Sequence, residues 1–195
     1  LAYLNIRGGN ENGQAWNAQG QKLHKQNVFD AFHAAALALI HTRWTDRAHL
    51  GILGGSNGGL LMGSQIVQHP ADYRAVVARV GIYDVLRHET DFANGPYNVS
   101  EYGSVADPAQ FKATLAYSPL QNVKPRTAYP AVLMTTGAND PRVAPWQSRK
   151  FTAALQNATS SDQPILLLTR MNAGHGVGAP FSQRVGDTAI GLTFF

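Results

Sequence analysis

Leu50-Gly51-Ile52-Leu53-Gly54-Gly55-Ser56-Asn57-Gly58-Gly59-Leu60-Leu61-Met62-Gly63 is the stretch on which the reading of this chain turns. Leu50 to Leu53 is a short apolar run suited to a buried strand. Gly54 to Gly58 matches G-x-S-x-G, and an apolar run suited to a helix follows. Strand, sharp turn and helix are the context in which the serine of that motif serves as a nucleophile, because the strained turn lifts its Oγ clear of the sheet. Glycines on either side of Ser56 let the strand and helix backbones approach closely. The backbone N–H of Asn57, the residue after the serine, is the expected oxyanion donor. A phosphate-binding loop is the competing reading. It fails because no G-x-x-x-x-G-K-[ST] is present and the stretch contains no Lys.

The rest of the composition narrows the class. With 195 residues the chain has room for one core and one domain, 1–195. A hydrophobic content of 44% with 14% charged residues describes an ordinary globular protein. The net charge of +4 comes from scattered cations with no basic run or aromatic-basic stripe, so neither nucleic acid nor a membrane is expected as a partner. No apolar run reaches membrane-spanning length and no signal peptide is visible. Cysteine is absent, which excludes disulfides and thiolate chemistry but leaves the compartment open between cytoplasm and periplasm or exterior. The chain opens on Leu1, already inside an apolar run, and reads as part of a longer polypeptide.

Working along the chain, Leu1 to Ile6 is expected to be a strand and Arg7 to Gly13 a loop. Val28 to Ile40 has apolar residues at helical spacing (Val28, Phe29, Phe32, Ala35, Ala36, Leu39 and Ile40). It predicts a helix packed on the sheet with Asn27 as N-cap. The helix after Ser56 is expected to end near His69-Pro70, and Ala75 to Val80 to be a strand interrupted only by Arg79. Ile82 to Ser104 reads as a long, turn-rich binding loop. Asp107-Pro108 opens a short helix to about Ala116. Ala131 to Thr136 and Ile165 to Thr169 are strands, Trp146 to Asn157 is a helix, and Phe181 to Phe195 is a last helix weakened by Gly186 and Gly191.

Strands that alternate with helices and carry continuous apolar runs predict an α/β fold, a mostly parallel sheet with helices on both faces in three layers. Ligands of such sheets bind beyond the carboxyl ends of the strands. Ser56 follows the first of those strands, Asp140 the Ala131 strand and His175 the Ile165 strand, in the chain order Ser, Asp, His of the hydrolase elbow fold. Asp140 alone, set before Pro141, also reads as a turn residue. Asp84, Asp91, Glu101 and Asp107 are rivals that follow no strand so directly. Of the other histidines, His24, His33, His41 and His49 precede the serine and read as surface or helix-packing residues, and His69 and His88 as structural ones. No H-x-x-x-H pair supports a metal site, and no cofactor is implied.

Several linked segments carry a family resemblance over almost the whole chain. They are Ile6-Arg7-Gly8-Gly9, Lys25 to Asp30, Gly54 to Leu61, Glu101-Tyr102-Gly103-Ser104, Tyr117-Ser118-Pro119-Leu120, Asp140 to Val143 and Gly174-His175-Gly176. Together they resemble the prolyl oligopeptidase family. The resemblance implies an α/β-hydrolase fold and a serine-type peptidase acting on short peptides after proline, with Ser56, Asp140 and His175 as its triad. It also implies a β-propeller domain and an upstream part of the sheet beyond this segment, the latter carrying a tyrosine as second oxyanion donor. By the same resemblance Arg142 binds a substrate backbone carbonyl, and Ile82, Tyr102 and Val143 line the proline pocket. The family's stacking tryptophan falls at Asn98, with Tyr97 beside it as a substitute ring. A broader acyl hydrolase on the same fold is the alternative. A catalytically dead binding module is a third reading, opposed by three filled triad positions.

Overall fold

The four apolar runs that close on Gly55, Arg79, Gly137 and Arg170 lie side by side in one parallel sheet, in the order in which they occur along the chain. The structure, a computed structural model, describes residues 1–90, 95–176 and 179–195. Its helices and strands in chain order are α1 (Gln14–Ala18), α2 (Gln26–His41), β1 (Gly51–Gly55), α3 (Asn57–Gln68), β2 (Ala75–Arg79), α4 (Gly95–Tyr102), α5 (Pro108–Tyr117), β3 (Ala131–Gly137), α6 (Pro145–Ala158), β4 (Ile165–Arg170) and α7 (Phe181–Phe194). The chain divides into two units, Leu1–Asp46 with Val85–Ser118, and Arg47–Asp84 with Pro119–Phe195. Among the described residues no helix is long and apolar enough to cross a membrane.

The second unit holds the whole sheet and is built as the apolar runs predict. Val76, Val77, Ala78, Val132 and Met134 are fully buried, so β2 and β3 are covered on both faces. One face carries α3 and α6: the place of a Cβ on Gly54 lies against Met62 of α3, and Thr152 of α6 donates its hydroxyl to Met134 Sδ at 3.2 Å. The opposite face carries α7, whose Gly191 lies against Val77 and Arg79. Cover is thinner at the flanking strands, where Leu53 and Leu166 stay 47% and 48% exposed. Beneath α6, Tyr83 stacks on Phe151 with ring centroids 4.8 Å apart.

In the first unit α2 packs on α5, with the ring of Phe29 5.2 Å from that of Tyr117. Asn27 is not the cap. The helix starts from Lys25, and Asn27 Nδ2 instead donates to Gln19 O at 2.9 Å. Leu1 to Ile6 forms no strand, since a strand needs a ladder and no described segment pairs with it; its end is held by Trp16 Nε1 donating to Ile6 O at 2.9 Å. The described part of the segment from Ile82 to Ser104, expected to be a turn-rich loop, is partly helical. It contains a 3-10 turn at Val85–Arg87 and α4, and Glu89 accepts from Ser104 Oγ and Val105 N to close it. Asp107 caps α5 as expected, accepting from Ala109 N and Gln110 N.

Two glycines of the elbow differ in what they must do. A Cβ on Gly54 would stand 2.4 Å from Gly58 O, whereas one on Gly58 would meet nothing within 4 Å. Gly54→Ala is therefore expected to cost about 1–3 kcal/mol, because backbone must move. Gly58→Ala should be neutral or stabilising by up to about 1 kcal/mol through helix propensity. Urea denaturation of both variants checks the difference, and equal losses would refute it.

Candidate active site

Ser56 stands between β1 and α3 with φ 59 and ψ −119, a conformation that side-chain-bearing residues rarely adopt. Holding it there costs on the order of 1–3 kcal/mol, so its neighbours must over-determine it. They do. Ser56 N donates to Arg79 O at 2.9 Å, and Ser56 O accepts from Gly59 N and Leu60 N at 2.8 and 3.1 Å, locking both sides of the turn. Asn57 opens α3, so its N–H belongs to the first turn of the helix, where developing negative charge is favoured.

The loops after β3 and β4 meet at the same end of the sheet. Gly137 has no room for a Cβ, which would lie 2.2 Å from Gly174 O and 2.4 Å from Ala173 O. Asn139 N donates to Ala173 O at 3.0 Å, stitching the two loops together. This close approach sets His175 Nδ1 2.7 Å from Asp140 Oδ2 and His175 Nε2 2.9 Å from Ser56 Oγ. The His175 side chain is 7% exposed and that of Asp140 fully buried. Asp140 Oδ1 also accepts from Arg142 N and Val143 N, both at 2.9 Å, so the carboxylate is held by three donors. An ionised carboxylate only accepts, which places a proton on His175 Nδ1 and turns the Nε2 lone pair toward the serine hydroxyl. Such a row can move a proton off Ser56 and return it.

A cavity of about 620 Å³ opens beside this row, lined among others by Ser56, His175, Arg142, Arg79, Arg170 and Asp187. Arg142 is exposed, while Ile82 and Val143 are buried in the same unit. Tyr97, Asn98 and Tyr102 lie on α4 of the other unit. Tyr97 is 79% exposed and Asn98 half-buried. Tyr102 is buried, its ring 5.3 Å from the ammonium of Lys25 and edge-on to His88 at 5.1 Å. Lys25 pairs with Glu101. Burial pushes the Lys25 ammonium down in pKa against the pull of Glu101, and pushes the Tyr102 hydroxyl up. The rivals of Asp140 are otherwise engaged: Asp84 with Lys150 and Gln121, Glu101 with Lys25, and Asp107 as a cap, while Asp91 lies outside the described residues.

The sequence reading passed over Arg79, Arg170 and Asp187. A signal was present at Arg79, which ends the buried apolar run of β2 at the carboxyl edge of the sheet, where a charged residue needs a reason; Arg170 ends the more exposed run of β4 at the same edge.

The hydrogen bonds to Asp140 make a stability prediction. Asp140→Ala strips the acceptor from two backbone N–H groups and should cost about 1–3 kcal/mol, whereas Asp140→Asn keeps an amide oxygen for both and should cost clearly less. Denaturant midpoints of the two variants check this, and matching losses would show that these bonds carry no weight.

The sequence profile of the prolyl oligopeptidase family matches residues 1–195. A prolyl endopeptidase of Dictyostelium discoideum is 41% identical over 194 residues, covering 98% of this chain and 25% of the relative. A solved prolyl endopeptidase superposes with a TM-score of 0.92 at 43% identity, covering 98% of this chain and 28% of that one. Prolyl oligopeptidase B of Galerina marginata, solved with a 35-residue hydrolysis and macrocyclization substrate, superposes with a TM-score of 0.92 at 36% identity over 97% of this chain and 27% of its own. The chain thus spans about a quarter of the length of these relatives. With the α/β-hydrolase architecture and a family match along its full length, the chain belongs to the prolyl oligopeptidase family.

Proposed function

We propose that this chain carries the catalytic centre of a serine peptidase that hydrolyses short peptides on the carboxyl side of proline. The observation that carries the reading is the hydrogen-bonded row Ser56–His175–Asp140, with its serine on a strained turn at the carboxyl edge of a parallel sheet. In the proposed reaction His175 Nε2 takes the proton of Ser56 as Oγ attacks the peptide carbonyl, and delivers it to the leaving amine as the acyl-enzyme forms. Water then attacks the ester along the same path in reverse. Asp140 holds the imidazole in the required tautomer and stabilises the imidazolium. Asn57 N–H binds the developing oxyanion. The family likeness assigns Arg142 to a substrate backbone carbonyl and Ile82, Tyr102 and Val143 to an apolar pocket for the proline ring. The names of the relatives, prolyl endopeptidase and prolyl oligopeptidase, support the substrate class. A β-propeller in the same polypeptide belongs to this reading, since the relatives are about four times as long as this chain.

Ser56→Ala in the intact protein should abolish covalent labelling by a fluorophosphonate and lower turnover by several orders of magnitude while the fold is kept. Labelling that persists would point to another serine. A panel of chromogenic esters and matched peptide amides separates the peptidase from a broader acyl hydrolase on the same fold.

The specificity pocket yields a second prediction. A proline ring stacked on an aromatic face gains roughly 0.5–1.5 kcal/mol beyond its buried area, so a chain with Asn98 in place of a stacking ring should prefer proline less strongly. Asn98→Trp is expected to raise the kcat/KM ratio of prolyl over alanyl amides by about three- to tenfold. Tyr97→Ala should lower the ratio if that exposed ring has taken over the stacking. Better cleavage after arginine or bulky aromatic residues than after proline would overturn the specificity while leaving the Ser56 chemistry standing.

A further inference from the structure

Asp187, in the middle of α7, joins the two arginines that end β2 and β4. Arg170 donates from Nε and Nη2 to Asp187 Oδ1 at 2.9 and 2.7 Å, and Arg79 Nη2 donates to Asp187 O at 3.1 Å. The backbones of the same two arginines hold the reacting loops. Arg79 O receives Ser56 N, while Arg170 O receives Ala138 N at 2.9 Å and Ala173 N at 3.3 Å, one from the loop of Asp140 and one from the loop of His175. Arg79, Arg170 and Asp187 line the cavity that Ser56 and His175 also line.

Two features speak against a purely structural cross-link. The Arg170–Asp187 side chains are 37% and 33% exposed, and ion pairs this wet add little to stability. The helix also makes room for the arrangement at a cost to itself, because a Cβ on Gly191 would stand 2.4 Å from Arg79 Nη2, and glycine is a poor helix former.

We infer that Asp187 is a positioning residue for the proposed acylation step, its carboxylate holding the Asp140 and His175 loops in register through Arg170, while the main-chain carbonyl at the same position holds Arg79, whose own carbonyl receives Ser56 N. The inference rests on the reading of Ser56 and His175 as the reacting pair. Geometry of this kind acts on rate steeply, since displacing reacting groups by about 1 Å can cost on the order of 100-fold.

Acylation by a fluorophosphonate, followed in the intact protein, separates the amplitude of labelling, which counts folded sites, from the rate constant at saturating reagent, which reports their geometry. Asp187→Ala should keep the amplitude and lower the rate constant by about tenfold with a half-saturating concentration within about twofold of the unaltered protein. Asp187→Glu, which keeps the charge, should recover at least about a third of the lost rate. Gly191→Ala favours the helix yet pushes on the Arg79 guanidinium, so it should hold or raise thermal stability while slowing acylation by about two- to fivefold. An unchanged rate constant in Asp187→Ala overturns the inference. If that variant loses amplitude, Gly191→Ala decides, and full-rate acylation there overturns it equally. Absence of labelling in the unaltered protein defeats the reading of the site itself, whereas normal labelling in the unaltered protein with unchanged variants defeats this inference alone.

Discussion

One strained residue sets the terms for everything around it. Ser56 turns the chain from β1 into α3 within a single position, at a φ of 59, and the neighbouring atoms are arranged to keep it there. Gly54 lets the strand lie against the carbonyl of Gly58, and Arg79 O captures the serine N–H. The strain therefore falls on a part of the molecule that is packed tightly enough to bear it: Leu60, Met62 and Ile66 of α3 and Val76 to Ala78 of β2 are fully or almost fully buried.

The parallel sheet converts that local turn into a site. Its order follows the chain, so the segments leaving β1, β3 and β4 all emerge at one edge. Backbone contact does the rest. Gly137 against Ala173 and Gly174 brings the Asp140 and His175 loops within hydrogen-bonding distance, and three donors around Asp140 leave its carboxylate no other orientation. The other unit uses a different device. A half-buried ion pair, Lys25 with Glu101, lies beside the Tyr102 ring and ties the start of α2 to the end of α4. The Lys25 ammonium, almost fully buried, would be costly without its carboxylate partner, so the pair helps to hold α4 and Tyr102 beside it.

The sheet, the elbow helix, α5, α6 and α7, and the chain order Ser56, Asp140, His175 were legible before any coordinates. Their signals are local: an apolar run of strand length, a G-x-S-x-G turn, an Asp-Pro helix start, a polar residue just beyond a strand. What the sequence did not disclose depends on partners distant along the chain. Leu1 to Ile6 is apolar enough for a strand but has no described ladder to join, Asn27 spends its amide on Gln19 rather than on a cap, and α2 packs on Tyr117 within its own unit. In the turn-rich segment after Ile82, α4 carries Glu101, whose partner Lys25 lies 76 residues earlier. Arg79 and Arg170 stand out in sequence only as charges at strand ends and Asp187 not at all, and only the tertiary structure sets the three together beside the cavity. Residue type and spacing along the chain thus determined which groups stand at the strand ends, because that information is carried by neighbours a few residues apart. The distances among those groups, and the pairing of Lys25 with Glu101 and of Asp140 with His175, were decided by packing between segments that the sequence separates by tens of residues.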